Sequence, residues 1–226
     1  MFKLLVTAGL LAATIGLSRL NWFQINSIDC RLNHYPCPLQ LEPTLLSFLN
    51  QNLLTLNTQT IVRQLANFDS SLTEIEVRRR LPNKLMINLL RRQPVALIKI
   101  QPNGDEFYLD KTGFVYLPSW PRQSSLPPVL WPRELPLAEG DSALSRNLAQ
   151  LINTLAAYYV SFSQVIRLPE GIYLVKTGLG PEAVISATTD FPAAVGSLQF
   201  ILTNLKIEKP LPAKIDLRFD QPILTY

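Results

Sequence analysis

Apolar positions along this 226-residue chain change period several times, and each change marks an element. The first run, Leu4–Leu17, is uncharged and lies between Lys3 and Arg19. As a helix it spans roughly 21 Å at ~1.5 Å per residue, short of a ~30 Å hydrocarbon core. Extension through Leu20, Trp22 and Phe23 supplies the length if Arg19 snorkels to the interface. Residues 1–23 therefore read as a retained membrane anchor, or as a cleaved signal peptide with small Gly16 and Ser18 near the cut. Either reading places residues 24–226 outside the cytoplasm.

Beyond it the pattern predicts short elements. Residues 25–30 form a strand, Pro43 opens a brief helix, and Asn57-Thr58 caps a second one carrying Ile61, Val62 and Leu65. Strict alternation follows at Thr73–Arg78 and again at Leu85, Ile87 and Leu89, which is a hairpin with both strands half-buried. The order over this stretch is strand–helix–helix–strand–strand. Past Pro94, Val95–Ile100 starts a new strand, and Asp110-Lys111-Thr112-Gly113 turns a further hairpin. The proline-rich stretch 117–136 reads as an extended connector. Asp141-Ser142 caps a helix with Leu144, Leu148, Leu151, Ile152, Leu155 and Tyr159 on one stripe. Short strands at 165–168, 172–176 and 183–186 precede a helix capped by Asp190, and Lys214–Phe219 is the last strand. The fold class expected is α+β: an N-terminal membrane helix, a small domain over 24–93, and a mixed β domain with two flanking helices over 94–226.

Composition narrows the chemistry. The chain holds one His, so His-based catalysis is disfavoured, and its two Cys cannot build a four-thiolate zinc site. Cys30 and Cys37 flank a proline-bearing octapeptide, which suits a small structural disulfide in an oxidising compartment. A redox-active pair is the alternative, but the spacing is not Cys-x-x-Cys. Glu74 and Glu76 share one strand face with Arg78 and read as a solvated stripe rather than an acid pair. Gly178-Leu179-Gly180-Pro181 lacks the strand–turn–helix context of a nucleotide site and reads as a hairpin turn. No cofactor, metal or catalytic set is expected, and the chain reads as a non-enzyme. Net charge +4 is too modest for nucleic acid. Arg78, Arg79, Arg80, Arg91 and Arg92 sit at strand ends and could form one basic patch for an acidic partner or anionic head groups.

Several strings occur in a telling order: Phe23-Gln24-Ile25-Asn26-Ser27-Ile28, then Leu81-Pro82, then Arg92-Gln93-Pro94-Val95-Ala96. Leu109-Asp110-Lys111-Thr112-Gly113 and Ile215-Asp216-Leu217-Arg218-Phe219-Asp220 follow. Together they resemble the FtsQ/DivIB bacterial cell-division proteins. Arg91 stands where that family has an acid, Phe219 where it has Tyr, and Trp131-Pro132 where Thr-Gly is frequent. The resemblance implies a POTRA domain (β-α-α-β-β) over 24–93, an FtsQ/DivIB-type β domain after it, and a single-pass location at the cell membrane and division septum through residues 2–23. It also implies partners: FtsB- and FtsL-like coiled-coil proteins and other divisome membrane proteins, linked to septal peptidoglycan synthesis.

The last alternating strand is expected to leave a free sheet edge to which a partner segment adds. Arg218, Phe219, Asp220 and Gln221 are the expected partner-binding residues. The alternative function is a POTRA-type chaperone or docking module in secretion or outer-membrane assembly.

Overall fold

The computed structural model describes residues 21–102, 104–117, 126–205, 211–219 and 221–226. The chain divides into two compact units, Met1–Arg92 and Gln93–Tyr226.

In the first unit, β1 (Ser27–Leu32) turns directly into β2 (Tyr35–Pro36), with Leu32 opposite Tyr35. The turn residues Asn33 and His34 have φ of 49° and 72°, the double left-handed bend that matches hairpin twist. Asn33 tolerates it, and its Oδ1 also accepts the Arg91 N–H at 3.0 Å, stitching the turn to the sheet. Cys30 and Cys37 are joined by a disulfide across this hairpin, their Cα atoms 5.4 Å apart. A short helix α1 (Glu42–Leu46) and the longer α2 (Thr58–Phe68) follow. Asn57 caps α2, its side chain accepting the Gln59 N–H at 3.0 Å. The hairpin β3 (Leu72–Arg80) and β4 (Lys84–Arg91) completes a sheet of order β2-β1-β4-β3, in which β1 and β4 run parallel. Ile61 and Leu65 of α2 are fully buried, as are Leu85 and Ile87 of β4.

The second unit is one sheet of order β14-β13-β12-β11-β10-β8-β5-β6-β7-β9. Its strands are β5 (Pro94–Gln101), β6 (Glu106–Asp110), β7 (Phe114–Tyr116), β8 (Pro128–Pro132) and β9 (Gly140–Asp141). After the helix α3 (Ala143–Ala157) come β10 (Phe162–Leu168), β11 (Ile172–Thr177) and β12 (Glu182–Ser186). The helix α4 (Phe191–Leu205) precedes β13 (Lys214–Asp216) and β14 (Ile223–Thr225). Ile98, Val129, Val165, Val175, Ala183 and Ile215 are successive partners across six strands. They form one buried row with Leu148, Leu151 and Leu155 of α3 and Val195 and Leu198 of α4.

Four expectations are corrected here. Among the described residues no helix is long and apolar enough to cross a membrane, and those residues are mostly sheet, with four α-helices and two sheets. For the described residues, the expected α+β class led by a membrane helix is thereby corrected to a mostly-sheet fold. Residues 21–23 of the expected anchor are a 3-10 turn, and residues 1–20 lie outside the described residues. The first unit is not β-α-α-β-β either, because the positive-φ turn inserts β2 before the helices. The proline-rich connector contains β8, an interior strand flanked by β5 and β10. Its prolines stand at both strand ends, while Val129 and Trp131 between them point inward and are fully buried. Tyr159, expected on the stripe of α3, lies past the helix end with φ 56° and is 90 % exposed.

Candidate docking edge

The last strand expected from the sequence, Lys214–Phe219, is shorter, ending at Asp216, and it is not the sheet edge. Antiparallel β14 covers it, pairing Lys214 with Thr225, Ile215 with Leu224 and Asp216 with Ile223. Pro222 ends the turn between the two strands and leaves the next three residues free to pair. The outermost strand is therefore β14, and among the described residues no strand pairs with its outer side. All three of its residues are exposed, Ile223 at 52 %, and the neighbouring Tyr226 is 70 % exposed. The strand carries no charge, proline or bulge of the kind that protects edges.

Of the residues expected to meet a partner, Arg218, Phe219 and Gln221 lie in the turn between β13 and β14. Asp220 lies outside the described residues. Phe219 is 57 % exposed, with the Arg218 guanidinium carbon 5.5 Å from its ring centre. Arg218 is held by Asp216. The Arg218 Nε donates to Oδ1 at 2.9 Å and Oδ2 at 3.1 Å, and its Nη2 donates to Oδ2 at 2.6 Å. The Arg218 main-chain N–H donates to Oδ1 at 3.1 Å, closing the turn. These hydrogen bonds hold the Asp216 carboxyl below its usual range and push the Arg218 guanidinium up. Asp216 was not singled out from sequence, although an acid two residues before an Arg at a strand end is a local signal for such a turn. Beside this turn a shallow cleft is lined by Thr188, Asp190, Ala193 and Ser197 at the start of α4, together with Arg218 and Phe219.

The five arginines do not form one patch. Arg80 pairs with Lys84 at the turn end of the β3–β4 hairpin, and Arg91 pairs with Leu72 at the other. Seven residues of strand, roughly 23 Å, separate the two ends. Several also have local partners. Arg78 donates to Glu76, Arg79 to the Leu56 carbonyl at 2.6 Å, and Arg91 to the Ser71 hydroxyl at 3.1 Å. The Arg92 main-chain N–H donates to the Ser71 carbonyl, extending the β3–β4 pairing past Arg91. Hydrogen bonds from Asn88 and then Arg78 lower the Glu76 carboxyl, so this strip of the sheet is already charge-compensated.

A buried arginine was also missed. Arg167 is 4 % exposed, stacks 4.8 Å from the Tyr173 ring centre, and donates to the Leu168 carbonyl at 2.6 Å. It sits on an alternating strand where an inward Arg breaks the pattern. Among the described residues there is no group of three or more His, Cys, Asp or Glu side chains placed to hold a metal ion. Compared with known proteins, the chain matches no family model and no curated protein.

Proposed function

We propose that this protein is a non-enzymatic docking scaffold of the bacterial division machinery, of the FtsQ/DivIB kind, working outside the cytoplasm. In this reading an extended segment of an FtsB- or FtsL-like coiled-coil protein adds to β14 as an eleventh strand. Main-chain hydrogen bonds supply the affinity, and Arg218, Phe219 and Gln221 beside the strand supply the register. The observation that carries it is the outer side of β14, unpaired among the described residues and flanked by exposed apolar side chains. The Cys30–Cys37 disulfide supports an oxidising compartment. The resemblance of Ile215–Phe219 to the closing strand of that family supports the same end of the molecule as the site.

A photo-reactive residue at position 224, introduced in growing cells, tests this. The expected adduct is with an FtsB- or FtsL-like protein, and Leu224→Pro abolishes association while the thermal melt of the domain holds. An adduct with an outer-membrane barrel, or association that survives Leu224→Pro, contradicts it.

A further inference from the structure

We infer that Arg167 and Tyr173 form a buried receptor for a small oxyanion, a carboxylate or a phosphate. The free forked edge of the guanidinium holds it through two donors and the tyrosine hydroxyl through a third. The inference is independent of the docking reading, since it uses neither β14 nor the turn before it.

The two residues are register partners across β10 and β11, so their side chains leave the same face of the sheet. Phe191, at the start of α4, meets the Tyr173 ring edge-on with centroids 6.2 Å apart. The Arg167 guanidinium carbon lies over that ring, 4.8 Å from its centre. Arg167 uses one nitrogen on its own hairpin: Nη1 donates to the Leu168 carbonyl at 2.6 Å and to the Ile172 carbonyl at 3.4 Å. Nε is buried without a hydrogen-bond partner, and Nη2 donates to nothing among the described residues. Nε and Nη2 together make the fork that matches two oxygens of a carboxylate or phosphate. The Tyr173 hydroxyl is a third buried polar group with no partner. Burial pushes its pKa up, with Arg167 pulling the other way, so at neutral pH it keeps its proton and can donate. Among the described residues no carboxylate pairs with Arg167, although the residue is 4 % exposed. A guanidinium removed from water without a counter-ion is strongly disfavoured, and donors of this kind select a negative partner. Gly171 bounds the site at the hairpin turn. A Cβ there would lie 3.9 Å from both Nη1 and Nη2, so the absent side chain keeps that side of the guanidinium clear. So enclosed a group admits an anion of a few atoms rather than a polypeptide.

The test is anion titration of the full chain at pH 7 and fixed ionic strength, sodium chloride being exchanged for sodium acetate or sodium phosphate. At 20 mM the bound oxyanion is expected to raise the thermal midpoint by at least ~3 °C over chloride, as a ligand with a dissociation constant of about 1 mM should. The Arg167 Nε–H resonance is expected to shift along the same saturation curve. A response to acetate alone assigns a carboxylate, to phosphate alone a phosphate, and to both the shared oxyanion chemistry. Tyr173→Phe removes only a hydroxyl without a partner, so in chloride it is expected to melt no lower than wild type. Its affinity for the anion is expected to fall by about 10-fold, the loss of one hydrogen bond to a charged group. Arg167→Met is expected to abolish the response; should that variant fail to fold, Tyr173→Phe and the Nε–H resonance decide. A midpoint unchanged in both anions, a response that does not saturate, a stationary Nε–H resonance, or wild-type affinity in Tyr173→Phe overturns the inference. An ordered water is then the partner of these donors, and strand addition at β14 is untouched.

Discussion

At the scale of single residues, the Asp216–Arg218 pair ties the turn before β14 to pH. The folded carboxyl of Asp216 is lowered, chiefly by the Arg218 hydrogen bonds. The stabilisation is therefore fully present above the unfolded value of about 3.9 and is lost as pH falls through the lower folded value. Unfolding measured from pH 7 to pH 2 should show a constant stability gap between wild type and Asp216→Asn above about pH 5, closing in more acid solution. Trp131 makes a larger claim. It is fully buried in β8, and its indole N–H donates to the Leu135 carbonyl at 3.1 Å. Trp131→Ala should cost about 3–5 kcal/mol in urea unfolding, from the cavity and the orphaned carbonyl together. Gly113 has φ 94°, and a Cβ there would lie 2.6 Å from Arg146 Cα, so its role was legible as a turn glycine but the close approach of α3 was not. The difference is one of range: a turn is written in four adjacent residues, whereas a contact across 33 positions of chain is not.

Elements were most legible where period and cap agree. The strand pair Leu72–Arg80 and Lys84–Arg91 follows from strict alternation, and α2 and α3 begin where Asn57 and Ser142 cap them. In α3 the cap is reciprocal, Ser142 accepting the Ser145 N–H while the Ser145 hydroxyl accepts the Ser142 N–H, both at 3.1 Å. Ser142→Ala should lower stability by about 1 kcal/mol in chemical denaturation. The elements that hid were the short ones. Two-residue β2 depends on positive φ at Asn33 and His34, which non-glycine sequence marks only faintly. Interior β8 hides behind prolines that restrict only its ends, and β14 has too few residues for any period to register. The disulfide spans β1 and β2, so its reduction is expected to loosen that hairpin. Cys30→Ser with Cys37→Ser should cost about 2–3 kcal/mol by urea unfolding, the entropy of closing so small a loop.

For the whole molecule, the order of strands decides what is available to a partner. The sequence placed the free margin on Lys214–Phe219. The structure moves it one strand outward, to Ile223–Thr225, with the expected residues Arg218, Phe219 and Gln221 left as the turn that borders it. That shift turns on the placement of three residues after Pro222, and nothing in a linear pattern distinguishes an edge strand from a frayed end. The region of the site was thus readable while its edge and its charge compensation by Asp216 were not, because both depend on register. The central claim is that β14 accepts a foreign strand, and amide hydrogen exchange at Ile223–Tyr226 with and without saturating FtsB–FtsL-type pair tests it most directly. Strand addition predicts marked slowing at alternate amides of this segment, those whose N–H groups face away from β13. Unchanged exchange across the segment in a saturated complex would contradict it.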